Sequence, residues 1–118
     1  MSEFQELTQI INQFAKERDW DAFHSPKNLA MALSVEVSEL MEHFQWLTED
    51  ESKSLDASAL AEVADEIADV QWYLLRMANQ LGIDIPTAAR AKMKKNRVKY
   101  PIELAKGNAT KYNRYEKT

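Results

Sequence analysis

The sequence predicts an all-α protein whose four main helices form one domain over residues 1–118. Glycine and proline are scarce, with 2 and 3 residues in 118, so few turns interrupt the chain. Apolar residues recur at helical spacing in several long stretches, which is the main sequence signal of amphipathic helices. Hydrophobic residues make up 45% of the chain, enough to form a packed core. A domain of this size buries a modest fraction of its surface, so we expect an oligomeric bundle.

The first predicted helix covers residues 3–18. Ser2 is its expected N-cap, and Gln5 three residues later completes a capping-box pattern. Its apolar residues recur at helical spacing: Phe4, Leu7, Ile10, Ile11 and Phe14. The following stretch, residues 18–24, has no helical period and is predicted to be a loop rich in aromatic residues.

The second predicted helix covers residues 26–46. Ser25 and Pro26 favour a helix start, with serine as N-cap and proline at the first helical position. Its apolar stripe consists of Leu29, Leu33, Val37, Leu40 and Phe44. At 3.6 residues per turn, Glu36 falls at the edge of that stripe and Glu39 just beyond it. Both glutamates are therefore expected at a seam between helices.

A polar, acidic stretch at 48–58 is predicted to be a loop, and the third helix covers residues 59–81. Gly82 is its expected C′ residue. Its core stripe is predicted to be Leu60, Val63, Ile67, Val70, Leu74, Met77 and Leu81. An adjacent line on the same helix consists of Glu62, Glu66, Asp69 and Tyr73. This helix, too, is expected to present carboxylates beside its buried face.

The fourth predicted helix covers residues 85–99, with Asp84 as its cap and Pro101 ending it, followed by an arm at 101–118. Lysine and asparagine recur on one face, at Lys92, Lys95, Asn96 and Lys99. Residues 92–118 are basic overall, although the whole chain has a net charge of −4. The acidic balance argues against a general nucleic-acid binder.

Two acidic pairs are the main candidate for a functional site. Glu36 and Glu39 lie on the second helix, and Glu66 and Asp69 lie on the third. Residues three apart on a helix are neighbours, with Cβ atoms about 5–6 Å apart. Four convergent carboxylates repel one another unless a cation joins them, and oxygen ligands suit Mg²⁺, Ca²⁺ or Mn²⁺. The alternative is that these acids are solvated surface charge, which is common on helices.

Composition and motifs exclude several other classes of site. Cysteine is absent, so there is no disulfide, thiolate metal site or cysteine nucleophile. His43 lacks the Glu-x-x-His pattern of di-iron bundles, because Leu40 stands three residues before it. No phosphate-binding loop of the Gly-x-x-x-x-Gly-Lys type is present. We see neither a signal peptide nor a bilayer-length apolar stretch, and therefore expect a soluble cytoplasmic protein without nucleic-acid or membrane partners.

The aromatic residues of the first loop and of the second helix end, Trp20, Phe23, His24 and Trp46, have two interpretations. Packing is the more common role for such side chains. A nucleobase could also stack between two indoles, since every base has a π-face.

Taken together, these patterns resemble the MazG-like all-α nucleoside triphosphate pyrophosphohydrolases, and most closely their dCTP pyrophosphatase branch. The resemblance rests on five stretches, which are RDWDAFH at 18–24, PKNL at 26–29, EVSEL at 36–40 with FQW at 44–46, EIADV at 66–70, and Lys92-Met93 with Asn96-Arg97 and Tyr100-Pro101. It covers residues 4–113.

The resemblance implies hydrolysis of a (deoxy)nucleoside triphosphate to the monophosphate and pyrophosphate, with Mg²⁺, or alternatively Mn²⁺, as cofactor. It implies these catalytic and metal-binding residues: Glu36, Glu39, Glu66 and Asp69. It implies base binding by Trp20, Trp46 and His24. The implied phosphate and sugar contacts are Lys92, Asn96, Lys99, Tyr100, Arg97 and Tyr73. The family works as dimers or dimers of dimers, so a homodimer or tetramer is expected.

Two positions depart from the family pattern. Lys99 stands where relatives carry an arginine, and Ile11 aligns with a histidine of the eukaryotic dCTP enzymes. The sequence leaves two other functions open. One is a nucleotide-binding or sensing module of the same fold without turnover, and the other is a structural helical bundle whose acids are surface charge.

Overall fold

The structure is a computed structural model that describes residues 1–115. Its α-helices are α1 Glu3–Glu17, α2 Pro26–Glu42, α3 Glu49–Ser52, α4 Ala57–Gln80, α5 Ile85–Lys99 and α6 Ile102–Ala105. Short 3₁₀ turns cover Trp20–Ala22 and Tyr112–Arg114. No strand occurs within residues 1–115. The all-α prediction with four main helices is confirmed, and α3 and α6 are additional single turns.

The predicted helix starts depend on local capping, and the structure contains them. The Ser2 hydroxyl accepts from the backbone N–H of Gln5 at 3.3 Å, while the Gln5 side-chain oxygen accepts from the Ser2 N–H at 2.9 Å. The Ser25 hydroxyl accepts from the Asn28 N–H at 3.2 Å, with Pro26 in the first turn. These side chains satisfy N–H groups that have no partner within the helix.

Gly82 ends α4 as predicted, with a φ of +68°. Its N–H donates to the Asn79 carbonyl at 3.1 Å, and the Ile83 N–H donates to the Ala78 carbonyl at 2.8 Å. This pair of bonds is a Schellman motif, which requires a left-handed residue at C′. The start of α4 differs from the prediction, because Asp56 accepts from the Ala59 N–H at 2.8 Å and the helix begins at Ala57 instead of residue 59.

Three predicted boundaries differ from the structure. The second helix ends at Glu42 rather than 46, because His43 and Phe44 donate to carbonyls three residues back instead of four. The predicted loop at 48–58 contains α3, which has its own capping box between Thr48 and Glu51. The predicted loop at 18–24 contains a 3₁₀ turn, which follows Asp19 at a φ of +53°.

The predicted arm at 101–118 also contains regular structure. It includes α6 and the 3₁₀ turn Tyr112–Arg114. Residues 116–118 lie outside the described part of the chain. None of the described helices combines the length and the apolar composition that a membrane crossing requires.

The described chain divides into two compact units. The first unit is Met1–Ile83, and the second begins at Asp84. In the first unit, α4 packs against both α1 and α2. The core residues are Ile11, Ala15, Leu29, Val63 and Leu75. The prediction of one domain over residues 1–118 stays a prediction.

Part of the predicted core stripe of α4 is exposed in the single chain. Leu60 is 58% exposed and Ile67 is 54% exposed, whereas Val63 is buried. Within the single chain, the predicted core stripe is therefore wrong for Leu60 and Ile67. The reason is geometric, since α1 and α2 leave part of the apolar surface of α4 uncovered.

Candidate functional site

Three carboxylates predicted to bind metal lie together between α2 and α4. Glu36 and Glu39 come from α2, and Glu66 comes from α4. One oxygen of each lies within 4.8 Å of one oxygen of each of the others. The sequence positions them because a three-residue step on α2 keeps two side chains on one face, which packs against α4.

Two oxygens in this group have no hydrogen-bond partner. Within the described residues, Glu36 Oε2 and Glu66 Oε2 are buried and accept no hydrogen bond. A buried polar atom without a partner destabilises a fold, and the effect is larger for a charged one. A hard divalent cation coordinated by these oxygens would remove that destabilisation, since carboxylates are its usual ligands. The residues present therefore fit a divalent metal ion.

The pKa of Glu36 is raised from its ordinary 4.5 to about 7. Burial is the largest cause, followed by a hydrogen bond with Glu39 and repulsion from the charges of Glu39, Asp69 and Glu66. The pKa of Glu66 is also raised, by burial first and then by the charges of Glu39 and Asp69. The site therefore disfavours negative charge when no cation is bound.

Asp69 lies one turn beyond Glu66 on α4 and is not part of the group of three. Its charge nevertheless contributes to the raised pKa of Glu36 and of Glu66. Tyr73 lies one turn further along α4, and its pKa is raised by burial and then by the charges of Glu36, Asp69 and Glu39. A line of α4 side chains thus continues from the acidic group to a phenol.

His43 lies beside the acidic group, which the sequence did not predict. Its Nε2 is 3.9 Å from a Glu66 oxygen, and its Nδ1 is 3.8 Å from a Glu62 oxygen. The charge of His43 opposes the increase in the pKa of Glu66. The sequence offered a signal, since His43 lies seven residues, or two helical turns, beyond Glu36.

An aromatic cluster forms a second part of the candidate site. Two of the predicted base-binding residues lie in it, because the Trp20 and His24 ring centroids are 5.8 Å apart. Trp72 of α4 completes it, at 6.4 Å from Trp20 and 5.6 Å from His24. Phe14 of α1 contacts Trp20 edge-on at 5.6 Å. Trp72 was not predicted from the sequence, although it lies three residues beyond Asp69 on the same helix.

The acidic group and the aromatic cluster adjoin along α4. Trp72 and Tyr73 are consecutive, and their ring centroids are 5.1 Å apart. Trp72 belongs to the aromatic cluster, and the carboxylates of the acidic group help to raise the pKa of Tyr73. One helix therefore joins a region suited to a cation with a region suited to a flat ring.

Trp46, the third predicted base-binding residue, is separate from this cluster. It follows α2, is 87% exposed and makes no ring contact with another aromatic residue of the described chain. The first unit therefore brings Trp20 and His24 together, but not Trp46.

Arg76 is a buried charge that was not predicted from the sequence. It lies on α4, one turn beyond Trp72, and is 3% exposed. Its guanidinium donates to the Asn12 side-chain oxygen at 2.7 Å, to His24 Nδ1 at 3.2 Å and to the Asp21 carboxylate. The buried charge is therefore hydrogen-bonded and paired with a carboxylate, as buried charges require.

The predicted phosphate-binding residues other than Tyr73 lie in the second unit. They are carried by α5 and its C-cap: Lys92, Asn96, Arg97, Lys99 and Tyr100. The Tyr100 ring centroid is 5.9 Å from that of Tyr112, and Lys99 Nζ is 4.9 Å from the Tyr112 centroid. The unit thus presents cationic side chains beside phenol rings.

Comparison with known proteins relates the chain to one family. The sequence profile of the MazG-like family matches residues 31–114. dCTP pyrophosphatase 1 of Rattus norvegicus and of Homo sapiens are each 39% identical to the chain over 110 residues. These matches cover 92% of this chain but 65% of each relative, so the chain spans less than two thirds of their length.

A solved structure agrees with the fold. A pyrophosphatase from Archaeoglobus fulgidus is 41% identical to the chain, with a TM-score of 0.81 over 86% of this chain and 94% of that protein. The resemblance inferred from the sequence motifs is confirmed, because the matched profile includes both acidic pairs. On these grounds the chain belongs to the MazG-like family.

Proposed function

We propose that this protein hydrolyses (deoxy)nucleoside triphosphates to the monophosphate and pyrophosphate in a Mg²⁺-dependent reaction. dCTP or a related deoxynucleotide is the proposed substrate, and removal of unwanted nucleotides from the cytoplasmic pool is the proposed role. The observation that carries the proposal is the convergence of three carboxylates, two of them with a buried oxygen that accepts no hydrogen bond from the described residues.

In this proposal the metal ligands are Glu36, Glu39, Glu66 and Asp69. Mg²⁺ is the proposed ion, and Mn²⁺ is the alternative, because both prefer oxygen ligands. When bound, the ion neutralises phosphate charge and lowers the pKa of water. Glu36 or Glu39 is the proposed base, which positions the attacking water and accepts its proton.

The nucleobase is proposed to contact Trp20 and His24, together with Trp46. The cluster of Trp20, His24 and Trp72 supports an aromatic wall, against which a flat base can stack. Two relatives are named dCTP pyrophosphatase 1, which supports a cytosine nucleotide. Ile11 is buried in the core, so α1 offers no polar side chain at that position for the base.

The phosphate and sugar groups are proposed to contact Lys92, Asn96, Arg97, Lys99, Tyr100 and Tyr73. Lysine and arginine stabilise phosphate oxygens by charge-assisted hydrogen bonds. These contacts would stabilise negative charge on the departing pyrophosphate. Lysine at position 99 binds phosphate as a point charge, whereas an arginine would present a two-pronged donor.

A homodimer or a dimer of dimers is the proposed assembly. The exposed apolar residues of α4, Leu60 and Ile67, support it. Large apolar side chains that share an exposed surface commonly mark contacts between subunits. A chain of 118 residues also buries a modest fraction of its surface on folding, which favours association.

The test is pyrophosphate release from a panel of deoxy- and ribonucleoside triphosphates, with Mg²⁺ and with EDTA. The proposal expects release only with the divalent ion, fastest with dCTP or another pyrimidine deoxynucleotide. Nucleotide binding in calorimetry without any release would instead favour the non-catalytic sensing module. The absence of both nucleotide binding and pyrophosphate release would contradict the proposal as well as its alternative.

A further inference from the structure

Arg76 connects α4 to two other parts of the first unit through side-chain hydrogen bonds. Asn12 lies on α1, while Asp21 and His24 lie in and just after the turn Trp20–Ala22. All three acceptors are more than 50 residues away in sequence, at separations of 64, 55 and 52. A buried guanidinium with three directed partners fixes the position of each partner, because its donors form a rigid planar fork.

The contact with His24 fixes the form of the imidazole ring. Arginine is always a donor, so Nδ1 of His24 must be the acceptor and carry no proton. His24 is therefore neutral, with its proton on Nε2. The lowered pKa of His24 agrees, and its causes are burial first and then the Arg76 charge, opposed by Asp21. The Gln80 side chain also donates to the His24 carbonyl at 3.2 Å, so α4 holds both the ring and the backbone of this residue.

The segment held in this way carries two of the three proposed base-binding side chains, Trp20 and His24. Trp20 begins the 3₁₀ turn, and its ring contacts His24 and Trp72. The backbone before the turn is constrained as well, because Asp19 adopts a positive φ of 53°. Trp72 lies one helical turn before Arg76 on α4, so the same helix supplies a ring that contacts Trp20 and His24 and the arginine that holds their segment.

We infer that Arg76 is a positioning residue that sets the Trp20–His24 wall for nucleobase recognition. It holds the turn through Asp21, holds the imidazole in its neutral form through His24, and anchors both to α1 through Asn12. The inference rests on the proposed function, because it assigns the wall to the base. Arg76 itself is buried, and it acts on substrate only through Trp20 and His24.

A purely structural arginine would behave differently from a positioning residue. Its loss would lower the melting temperature and the amount of folded protein, but each folded molecule would keep its affinity and base preference. A positioning role instead affects KM and discrimination among bases, while kcat with saturating nucleotide is largely retained. The acidic group is unchanged in either case, so the Mg²⁺ requirement serves as an internal reference.

The experiment compares Arg76→Met and Arg76→Lys with the unaltered protein, and uses Arg90→Met as a matched control on an exposed arginine of α5. For Arg76→Met we expect KM for the preferred nucleotide to rise about tenfold, while kcat stays within about twofold of the unaltered protein. The ratio of kcat/KM between the preferred nucleotide and nucleotides with other bases should decrease. Arg76→Lys keeps the charge without the planar fork, so its KM should lie between those of Arg76→Met and the unaltered protein. Arg90→Met should match the unaltered protein. An unchanged KM and base preference in folded Arg76→Met would overturn the inference.

A second variant keeps the test valid if Arg76→Met does not fold. Asp21 is an acceptor of Arg76 whose side chain is 60% exposed, and Asp21→Asn removes its charge but keeps an oxygen that can accept from the guanidinium. It weakens the hold on the turn and should raise KM in the same direction by a smaller factor. A folded Asp21→Asn protein with unchanged KM and base preference would count against the inference.

An NMR titration of His24 separates this inference from the proposed function. In the unaltered protein the pKa of His24 should lie below 6.5, and Arg76→Met should raise it because the neighbouring cation is lost. If the unaltered protein neither binds nor hydrolyses nucleotides, the proposed function fails. The titration then still decides whether Arg76 holds the turn, and an unchanged His24 pKa in Arg76→Met would overturn that hold.

Discussion

Glu36 of α2 and Glu66 of α4 face each other across a helix seam, and each has one buried carboxylate oxygen that accepts no hydrogen bond from the described residues. Two unpartnered oxygens of like charge are unfavourable in a low-dielectric site, as the raised pKa values of both groups indicate. A divalent cation between the two carboxylates would relieve this repulsion. Stability, metal binding and turnover should therefore all depend on these acids.

Removing one acid should abolish turnover without unfolding the protein. In Glu39→Ala we expect activity to fall about 100-fold or more, since loss of even outer-shell partners of metal sites costs about 10–100-fold. Its melting temperature in EDTA should be unchanged or higher, because a carboxylate that repels Glu36 and Glu66 is gone. Circular dichroism melts and pyrophosphate release measure the two effects.

Glu42→Ala provides the control for that variant, since Glu42 is an exposed glutamate at the end of the same helix. It should keep both activity and the increase in melting temperature that Mg²⁺ produces. Full activity in Glu39→Ala would contradict the metal assignment.

Without metal, the acidic group should make the fold less stable as pH rises. The pKa of Glu36 is about 7 in the fold and 4.5 ordinarily, so between these values the folded state binds a proton that the unfolded chain lacks. That contribution to stability is fully present below pH 4.5 and is lost as pH rises through about 7. The test compares the melting temperatures of the unaltered protein and Glu36→Gln in EDTA at each pH. The value for the unaltered protein minus that for Glu36→Gln should therefore decrease as pH rises across this range.

The comparison with Glu36→Gln is needed because His24 has the opposite effect. Its pKa is lowered from 6.5, so its contribution is present above that value and is lost as pH falls. Divalent-ion binding should also release a proton, so Mg²⁺ should raise the melting temperature more at pH 8 than at about pH 6. A difference between the two proteins that does not vary with pH would contradict the assignment of the raised pKa to Glu36.

The helix starts and the acidic pairs could be predicted because their causes are local in sequence. Ser2 with Gln5, Ser25 with Pro26, and Gly82 each act within a few residues of the helix end they define. The predicted end of α2 was wrong because Phe44 and Trp46 continue the apolar pattern after α2 has ended. The backbone N–H groups of His43 and Phe44 already donate to carbonyls three residues back instead of four. Periodicity reports the pattern of side chains, and it does not report the spacing of backbone bonds.

Arg76 could not be recognised in the sequence for a different reason. An arginine within a helix is normally an exposed residue, and only distant partners bury this one. Asn12 and Asp21 show no pattern that links them to α4. Their contact depends on how α1 and the turn pack, which periodicity within one helix does not determine.

Gly82 should be a position where alanine destabilises the first unit. The residue has a φ of +68°, and no atom lies within 4 Å of the place an added Cβ would take. Gly82→Ala should therefore cost about 1 kcal/mol from the left-handed backbone alone. Chemical denaturation measures the loss, and Asn at the same position should cost less because it tolerates this conformation better. Equal stability of the alanine variant would contradict the Schellman geometry.

The exposed apolar surface of α4 should mediate association. We expect a dimer or tetramer of the 13.6 kDa chain in sedimentation or light-scattering measurements. Leu60→Lys introduces a charge at a position 58% exposed in the single chain, so it should shift the protein toward smaller species. Lys53→Met, a change on an exposed position before α4, should leave the mass unchanged. A monomeric unaltered protein would contradict the proposed assembly.

Trp46 should contribute to nucleotide binding but not to the stability of the isolated chain. Because it is 87% exposed and has no aromatic partner in the described chain, Trp46→Ala should leave the melting temperature within about 1–2 °C. Stacking on a base is worth about 1–3 kcal/mol, so its loss should raise KM about fivefold or more while kcat changes little. Trp72→Ala is the informative contrast, because Trp72 packs against Trp20 and His24 and its loss should lower the melting temperature as well. An unchanged KM in Trp46→Ala would remove Trp46 from the proposed base site and leave recognition to the Trp20–His24 wall.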